Sequence, residues 1–470
     1  MTTSDLSPLA HCPGISPAIF RAYDIRGIAG QDLTAEVVEA IGKAMASLAL
    51  ETGEHTVLFG ADGRLSSPML RAPLLRGILS TGLNVVDLGT IPTPLLYFAS
   101  FTTPWSSGLM LTASHNPADY NGIKIIRQRT CLTPEQIQHI RERAVSGHFL
   151  TGNGTLYKLD IAGDYIARLQ HEVRLKRPLK VVVDCANAVP GLIAPALYSA
   201  LGCEVIPLFC ELDGHFPHHH PDPTVAVNLT ALQNAVRRHG ADLGIALDGD
   251  GDRVVMVTEQ GNAIDTDRLL MLLVSDILPR CEANARVVYD VKCSTLVPQL
   301  VAALGGTPVM SRSGHSFMKQ TMQESGAVIG AEFSAHVFIK DRWFGYDDGL
   351  YVAARFLELL ARSPMSAEAM LQALPHSVVT PELRIDVSDE RKFQLMDCIV
   401  EKANFPHANV NVLDGLRVDF PDGWGLIRAS NTTPALLLRF EATSRQALLG
   451  IQSLFRELLR DVDEHLVLTF

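Results

Sequence analysis

The stretch Leu111-Thr112-Ala113-Ser114-His115-Asn116-Pro117 follows a short apolar run, Gly108 to Leu111, and leads into Asp119-Tyr120-Asn121-Gly122-Ile123-Lys124. A strand that ends in small and polar residues, followed by Pro and Asn-Gly, is typical of a loop at a strand terminus. Such a loop can present the Ser114 hydroxyl with little steric cover, and His115 beside it is a candidate proton partner. An ordinary surface turn has the same composition, so a functional interpretation needs support from the rest of the chain.

The whole chain has the composition of a globular protein with several domains. Its 470 residues exceed one ordinary core, and its 47% hydrophobic and 19% charged residues exclude a disordered chain. The net charge of −11 argues against nucleic-acid binding but permits a local positive cleft. No run of about 20 apolar residues is present, and Met1 to Ala10 lacks the basic start and apolar core of a signal peptide. We therefore expect a cytoplasmic protein with no membrane partner.

The cysteines are scattered and form no CxxC pair, which is typical of small buried thiols in a reducing compartment. They are Cys12, Cys131, Cys185, Cys203, Cys210, Cys281, Cys293 and Cys398. We expect them to be reduced and buried.

Strands and helices alternate through most of the chain, as in the predicted strand Thr56 to Phe59, helix Ser66 to Thr81 and strand Asn84 to Leu88. This order predicts three similar mixed α/β domains. From about residue 376 the pattern changes to several strands followed by one helix, which predicts a C-terminal α+β domain with an antiparallel sheet. The predicted domains are 1–160, 161–263, 264–376 and 377–470.

Three local expectations are specific enough to test. The segment Phe20 to Gly27 should end in a turn at Gly27, and Gly314-His315-Ser316 should be a loop before a helix that begins at Phe317. Val378 to Val387 should be one strand.

The strongest chemical signal is Asp248-Gly249-Asp250-Gly251-Asp252-Arg253, between two predicted strands. Alternating carboxylates, spaced by glycines that let the backbone bend, can converge on one hard cation. A solvated acidic turn is disfavoured, because like charges at this density are costly without a counter-ion. A calcium loop is the rival, since Glu259 falls at its twelfth position. However, Arg253 stands at the sixth position, where that loop needs Gly, and the flanks are strands rather than helices. Mg²⁺ with a phosphate oxygen fits better.

Two further polar stretches are weaker signals. Arg428-Ala429-Ser430-Asn431-Thr432-Thr433-Pro434 offers a guanidinium, hydroxyls and an amide, which together can cradle an oxyanion, although a Ser/Thr turn has the same composition. In Glu332-Phe333-Ser334-Ala335-His336, residues 332, 334 and 336 would share one face if the segment were extended, and they could contact sugar hydroxyls and an oxyanion. A polar strand end is the simpler interpretation of this segment.

Cationic and aromatic residues at the ends of predicted strands complete the set: Tyr23 with Arg26, Lys124, Arg253, Lys292 and His315. Ligands of open α/β sheets bind at such positions, although each residue alone is more often a solvated charge. In contrast, His218-His219-His220 lacks the spacing of a zinc site, since consecutive side chains diverge.

The order of these motifs resembles the α-D-phosphohexomutase family, and in particular its bacterial phosphomannomutase/phosphoglucomutase branch. Thr112 to Pro117, Asp248 to Arg253, Glu332 to His336 and Arg428 to Pro434 carry the resemblance, which spans nearly the whole chain. Phe20 to Gly27, Asn121 to Lys124 and Arg342-Trp343-Phe344-Gly345 also match. The resemblance implies four domains around a central cleft.

The resemblance also implies roles for individual residues. Ser114 would be the phosphoserine, and the metal ligands would be Ser114, Asp248, Asp250 and Asp252, binding Mg²⁺. The catalytic acid/base or electrostatic groups would be Ser114, His115, Arg26, Lys124 and His336. The substrate-binding residues would be Tyr23, Arg253, Lys292, His315, Glu332, Ser334, Arg428, Ser430, Asn431 and Thr432.

The chain departs from the family at two positions. The sugar-binding loop usually has the pattern Gly-Glu-x-Ser-Gly-His, whereas this chain has Ala331 before Glu332 and Ala335 after Ser334. The second alanine adds a methyl group where close backbone approach is expected. We expect activity to be retained, because Glu332, Ser334 and His336 remain.

The expected activity is interconversion of hexose 1-phosphate and hexose 6-phosphate, with mannose or glucose as the sugar. Phosphoserine would phosphorylate the substrate to a hexose 1,6-bisphosphate, which turns around and returns the other phosphate; the bisphosphate would also be the activator. A phosphoglucosamine mutase is an alternative that Phe333 disfavours, since that branch usually has Gln at this position. A non-catalytic sugar-phosphate-binding protein is the third interpretation. The expected partners are hexose phosphates, and the expected oligomeric state is a monomer or weak dimer.

Overall fold

A computed structural model describes residues 14–430, 433–468 and 470 of the chain. The chain folds into two units. Unit 1 lies within Met1–Ile264 and Ser334–Glu368, and unit 2 within Asp265–Phe333 and Ala369–Phe470. The polypeptide therefore leaves unit 1, returns to it, and leaves it again.

The strands alternate with helices through the first three quarters of the chain. The strands are β1 Ile25–Ile28, β2 Thr56–Ala61, β3 Asn84–Thr90, β4 Gly108–Leu111, β5 Tyr120–Arg127, β6 Thr130–Cys131, β7 Leu156–Lys158, β8 Lys180–Asp184, β9 Glu204–Leu208, β10 Leu243–Leu247, β11 Val254–Thr258, β12 Ala263–Ile264, β13 Arg286–Asp290, β14 Thr307–Ser311, β15 Ile329–Glu332, β16 His336–Ile339, β17 Val378–Val379, β18 Leu383–Asp386, β19 Asn409–Asn411, β20 Leu416–Phe420, β21 Gly423–Ala429 and β22 Ala435–Ala442.

The helices are α1 Ala35–Glu51, α2 Ser67–Leu79, α3 Thr93–Thr102, α4 Pro134–Ser146, α5 Ala162–Glu172, α6 Ala194–Ala200, α7 Thr230–His239, α8 Thr266–Ile277, α9 Leu296–Ala303, α10 His315–Ser325, α11 Gly349–Arg362, α12 Ala367–Gln372, α13 Asp389–Lys402 and α14 Arg445–Val462. Side-chain caps fix several of their starts. The Thr34 hydroxyl accepts a hydrogen bond from the Val37 amide at the start of α1, and Ser444 caps α14 in the same way. Such caps satisfy amides that have no partner within the helix.

Unit 1 contains two mixed sheets. The first has the strand order β1-β5-β4-β2-β3-β7, in which β5 runs antiparallel to β1 and β4, and β6 pairs with β5. The second has the order β12-β11-β10-β8-β9, in which β8, β9 and β10 are parallel. Ser114 follows β4, and Asp248 follows β10. Both residues thus lie beyond the carboxyl ends of parallel strands, where open α/β sheets bind ligands.

Unit 2 combines a parallel and an antiparallel sheet. β13 is parallel to both β14 and β15. Strands β17 to β22 form an antiparallel sheet, and apolar side chains of α13 and α14 share one buried core with it. The predicted fold class, with α/β domains and a C-terminal α+β domain, is confirmed.

Three local expectations are wrong. Gly27 lies inside β1, because this strand pairs with β5 as far as Ile28. Helix α10 begins at His315 rather than at Phe317. The predicted strand 378–387 is two strands, β17 and β18, which both pair with β22. Pro381 lies between them, and since proline has no backbone N–H it interrupts the ladder of hydrogen bonds.

The cysteines Cys185, Cys203 and Cys293 are buried, as expected, whereas Cys398 is exposed on α13. All cysteines in the described part of the chain are free thiols. Cys12 lies outside the described residues.

Candidate active site

The Ser114 hydroxyl lies within reach of the aspartate loop. Its Oγ donates a hydrogen bond of 2.7 Å to Asp248 Oδ2, and His115 Nδ1 is 3.2 Å from the same Oγ. The backbone of Ser114 is left-handed, with φ of 50°. Two loops that are separated by more than a hundred residues therefore meet at this hydroxyl.

Asp248, Asp250 and Asp252 are all buried and lie directly after β10. One carboxylate oxygen from each lies within 4.8 Å of the others. The Oδ1 atoms of Asp250 and Asp252 make no hydrogen bond to any described residue. Burial, followed by repulsion from Asp252 and Asp250, raises the pKa of Asp248 well above its usual value. A divalent cation would relieve this repulsion, so the donor set fits Mg²⁺.

Position 249 requires glycine because it has no space for a β-carbon. A β-carbon at this position would lie 2.1 Å from the Ser114 carbonyl oxygen. Any side chain would thus push the two loops apart. The glycine allows the aspartate loop to approach the serine closely.

Lys124, on β5, supplies positive charge to the same loop. Its Nζ donates hydrogen bonds to Asp250 Oδ2, at 2.6 Å, and to Asp252 Oδ2. Burial alone would lower the pKa of Lys124, but the neighbouring carboxylates raise it, so the ammonium stays charged. Burial opposes ionisation of Asp250 as well, yet Lys124 outweighs it and lowers the pKa of Asp250 to about 2.

His336 is held between an acid and a guanidinium. Its Nδ1 is 3.0 Å from Asp347 Oδ2, and Arg253 Nε donates a 2.9 Å hydrogen bond to its Nε2. Asp347 was not among the predicted site residues. The pair Asp347-Asp348 before a helix was a signal for it, although the carboxylate of Asp348 is the one that caps α11.

Arg26 extends the site toward β1. Its guanidinium donates to the side chains of Asn116 and Asp24. Burial and then Arg253 lower the pKa of His115 well below its usual value. The His115 imidazole is therefore neutral near pH 7 and can accept a proton. Tyr23 lies near this end of the site, three residues before Arg26, and is half-buried.

Sequence reasoning missed two residues next to these groups. Thr93 is the first residue of α3, and its hydroxyl donates a hydrogen bond to Asp250 Oδ2. Its amide donates a second hydrogen bond, of 2.9 Å, to the Asp250 carbonyl. Arg64, after β2, donates to the Ser114 carbonyl at 2.7 Å. Both contacts join residues far apart in the chain, and no local pattern distinguishes them.

Unit 2 gathers a second group of predicted residues. The Ser313 hydroxyl donates to Asp290 Oδ2 at 2.8 Å and to Glu332 Oε1 at 3.4 Å. Lys292 and His315 are both 8% exposed, and His315 is the first residue of α10. Burial raises the pKa of Asp290, and the positive charge of Lys292 partly offsets this rise.

The C-terminal motif joins this group through Asp414. Arg428 Nε is 3.1 Å from Asp414 Oδ2, which also accepts the Ser313 amide at 2.9 Å. The Nη2 atom of Arg428 makes no hydrogen bond to any described residue. The Ser430 hydroxyl accepts from the Thr433 amide at 3.1 Å. The other two predicted residues of this motif, Asn431 and Thr432, lie outside the described residues.

The segment 332–336 is a turn rather than an extended strand, so its alternate residues do not share a face. Glu332 ends β15 in unit 2, whereas Ser334 belongs to unit 1, where its Oγ makes no hydrogen bond to a described residue. Ala335 is left-handed, with φ of 75°. Phe333 packs in unit 2 against the Arg439 guanidinium, 3.6 Å from the ring centroid.

The three consecutive histidines have contacts of their own in unit 1. His219 Nε2 is 3.1 Å from Asp184 Oδ2, and His218 Nδ1 is 2.7 Å from Asn187 Oδ1. These partners are protein groups that orient the loop after β9.

None of the helices within the described residues is long and apolar enough to cross a membrane.

Four family models match the chain in order. They are the three phosphoglucomutase/phosphomannomutase alpha/beta/alpha domains I, II and III, at residues 17–150, 163–261 and 265–378, and the C-terminal domain at residues 382–458.

Full-length relatives agree with these matches. A phosphomannomutase/phosphoglucomutase of Pseudomonas aeruginosa is 47% identical over 461 residues, which cover 98% of this chain and 99% of the relative. A phosphoglucomutase of Neisseria gonorrhoeae is 44% identical over 96% of this chain and 99% of its own length. The crystal structure of a phosphoglucomutase/phosphomannomutase family protein from Burkholderia thailandensis has a TM-score of 0.93 and 43% identity, covering 97% of this chain and 100% of that one.

Proposed function

The chain belongs to the phosphoglucomutase/phosphomannomutase family, and we propose that it isomerises its substrate by passing a phosphoryl group through Ser114. It is a phosphohexomutase, an isomerase that interconverts hexose 1-phosphate and hexose 6-phosphate of mannose or glucose. The observation that carries the role of Ser114 is its 2.7 Å hydrogen bond to Asp248, within a buried loop of three aspartates.

In the first step, phosphoserine at position 114 transfers its phosphoryl group to the free 1- or 6-hydroxyl of the hexose phosphate. The bond between phosphorus and Ser114 Oγ breaks, and a bond from phosphorus to the sugar oxygen forms. The proton of the sugar hydroxyl passes to Ser114 Oγ by way of the acid/base groups of the site, which leaves Ser114 as a free hydroxyl. The product is a hexose 1,6-bisphosphate, which turns around so that its other phosphate returns to Ser114. Free bisphosphate can phosphorylate the serine in the same way, which makes it the activator.

The charged groups of unit 1 suit this transfer. Asp248, Asp250 and Asp252 would hold Mg²⁺ together with an oxygen of the Ser114 group, and the bound cation would supply positive charge to the transferred phosphoryl oxygens. Lys124 and Arg26 add fixed positive charge near the same oxygens. Neutral His115, 3.2 Å from Ser114 Oγ, accepts the serine proton when the phosphoryl group returns.

The remaining predicted residues bind the substrate or assist its reaction. Arg253 and His336, which contact each other, act on the substrate as electrostatic and acid/base groups, and Tyr23 lines the substrate path. Glu332 and Ser334 bind sugar hydroxyls, and Lys292 and His315 contribute charge. The phosphate that is not transferred is held by the predicted residues of the C-terminal motif, which are Arg428, Ser430, Asn431 and Thr432.

The test is the Ser114→Ala variant. It should lose almost all conversion of mannose 1-phosphate to mannose 6-phosphate, and intact mass spectrometry should detect one phosphate on the wild type but none on the variant. The control is Ser453→Ala on α14, which removes a hydroxyl that donates to the Leu449 carbonyl and accepts from Arg456 Nη1, both on the same helix. Wild-type turnover in Ser114→Ala would refute the role of Ser114.

A kinetic panel separates the remaining alternatives. We expect comparable kcat/KM for glucose and mannose phosphates and a lower value for glucosamine phosphates. A preference for glucosamine 6-phosphate would instead indicate a phosphoglucosamine mutase. Binding without turnover of any sugar phosphate would indicate a non-catalytic protein.

We further propose four domains with boundaries near residues 160, 263 and 376, a cytoplasmic location, and a monomer or weak dimer in solution. Limited proteolysis tests the boundaries, and sedimentation velocity over a range of protein concentrations tests the oligomeric state.

A further inference from the structure

Arg64 is a buried cation that contacts the backbone of the Ser114 loop and not the reacting groups. Its residue is only 2% exposed. One terminal nitrogen, Nη2, donates to the carbonyls of Ser114 and Asn116, at 2.7 and 2.6 Å. The other, Nη1, donates to the carbonyls of Pro117 and Tyr120. One guanidinium thus binds four carbonyls of the seven-residue segment from Ser114 to Tyr120, which ends at the first residue of β5.

Asp62 connects Arg64 to Thr112, on the strand side of the Ser114 loop. Its Oδ2 is 3.2 Å from Arg64 Nε and accepts a 2.7 Å hydrogen bond from the Thr112 hydroxyl. The Thr112 hydroxyl in turn accepts the Ser114 amide at 2.9 Å. The Arg64–Asp62 pair therefore controls both the amide and the carbonyl of Ser114.

Ser114 needs such support because of its backbone conformation. A serine with φ of 50° lies in the left-handed region, which L-residues adopt only when their surroundings enforce it. The hydroxyl position depends directly on that conformation. If the loop relaxed, the Ser114 Oγ would lose its alignment with Asp248.

We propose that Arg64 is a positioning residue for phosphoryl transfer, which holds Ser114 in the conformation that aims its Oγ at the aspartate loop. The inference rests on the proposed role of Ser114. Among the described residues, the donors of Arg64 contact backbone carbonyls and Asp62, so the residue acts through the loop and not on the substrate. Lysine cannot replace it, since an ammonium has no planar fork with which to reach four carbonyls.

The test compares Arg64→Lys with the wild type in steady-state kinetics on mannose 1-phosphate. We expect kcat to fall at least tenfold and KM to change less than threefold, because the substrate contacts are untouched while the phosphoryl carrier is misaligned. The rate at which glucose 1,6-bisphosphate phosphorylates Ser114, followed by intact mass, should fall by a similar factor. In Arg64→Ala, millimolar guanidinium ion should restore part of kcat, which it would not do for a general folding defect.

Arg76→Lys is the matched control, because Arg76 is an exposed arginine of the same domain whose guanidinium pairs with Glu39, away from the Ser114 loop. Its kcat should equal that of the wild type. Melting curves verify that each variant is folded at the assay temperature.

A folded Arg64→Lys variant with wild-type kcat and wild-type phosphorylation rate would overturn the inference. If that variant does not fold, Thr112→Val carries the test, because it cuts the same chain of hydrogen bonds at the Ser114 amide without changing side-chain volume much. Unchanged kcat in Thr112→Val would then refute the inference. The proposed function fails separately: it falls if Ser114→Ala retains turnover, whatever Arg64→Lys does.

Discussion

The alanine at position 335 stores backbone strain, and replacing it with glycine should release that strain. Ala335 has φ of 75° and is fully buried in a core cluster with Val182 and Val255. The left-handed conformation costs an L-residue about 1–2 kcal/mol, and glycine avoids this cost. Two effects of Ala335→Gly oppose this and lower the free energy of unfolding. The loss of one buried methyl group costs about 0.8 kcal/mol, and the greater conformational freedom of glycine in the unfolded chain costs about 0.4–1 kcal/mol.

The gain and the losses nearly cancel, so the free energy of unfolding of Ala335→Gly should lie within about 0.8 kcal/mol of the wild type. The matched control is Ala246→Gly. Ala246 is 3% exposed, belongs to the same core cluster, and lies in β10 rather than in a left-handed turn. It suffers both losses without the gain, so we expect it to be destabilised by about 1.2–1.8 kcal/mol.

The assay is urea unfolding followed by circular dichroism at a fixed Mg²⁺ concentration. Both alanines lie in unit 1, so the two variants report on the same unfolding transition even if unit 2 unfolds separately. Equal destabilisation of the two variants would refute the reasoning, because it would mean that Ala335 carries no strain to release.

Three further predictions concern the aspartate loop and Asp348 in unit 1 and Arg439 in unit 2. Mg²⁺ should raise the melting temperature of the wild type by relieving repulsion among the buried carboxylates. Asp252→Asn should lose most of that rise, whereas Asp213→Asn, on the exposed loop after β9, should keep it. A full rise in Asp252→Asn would contradict the assignment of the cation to the aspartate loop. Burial raises the pKa of Asp348 to about 7, above its usual 3.8, so the folded chain keeps a proton that the unfolded chain releases, and the stability that this proton contributes declines as pH rises from about 4 to 7. Asp348→Asn should abolish that decline, so urea midpoints of wild type minus variant should be larger at pH 5 than at pH 8; a difference independent of pH would be inconsistent with the raised pKa. Arg439 donates to the Lys292 carbonyl and packs on Phe333, so Arg439→Lys should raise KM for mannose 1-phosphate about tenfold with a smaller change in kcat, and an unchanged KM would show that Lys292 needs no such support.

The sequence was sufficient for features that depend on local patterns. The apolar runs before Asp184 and Asp248 predict strands over Lys180 to Asp184 and Leu243 to Leu247, which are the observed bounds of β8 and β10, because buried parallel strands need continuous apolar side chains. The density of charge in the aspartate loop predicted a cation site, and the observed burial of all three aspartates agrees with it.

Features that depend on distant contacts could not be predicted. Helix α3 is buried on nearly all sides, so it has no polar face to give a helical period, and its Thr93 reaches Asp250 only through the fold. Arg64 is an ordinary charged residue in the sequence, and its role comes from the Ser114 loop that folds around it. The expectation of several strands followed by one helix in the C-terminal domain is wrong, because helix α13 lies between β18 and β19. Ser388, Asp389 and Glu390 are typical of a helix start and are a local signal for it.

The return of the chain to unit 1 has a consequence for its synthesis on the ribosome. When residue 264 has emerged, unit 1 still lacks β16 and α11, whose residues include the buried Tyr351 and Phe356. The Tyr165 hydroxyl then has no Asp348 carboxylate to bond, and Tyr198 has no Leu350 carbonyl. The nascent unit therefore stays incomplete until residues 265–333, which belong to unit 2, and residues 334–368, which complete unit 1, have been translated. Chaperones that shield apolar surface have their longest opportunity to bind during that interval, and early termination anywhere within it leaves a fragment whose core cannot close.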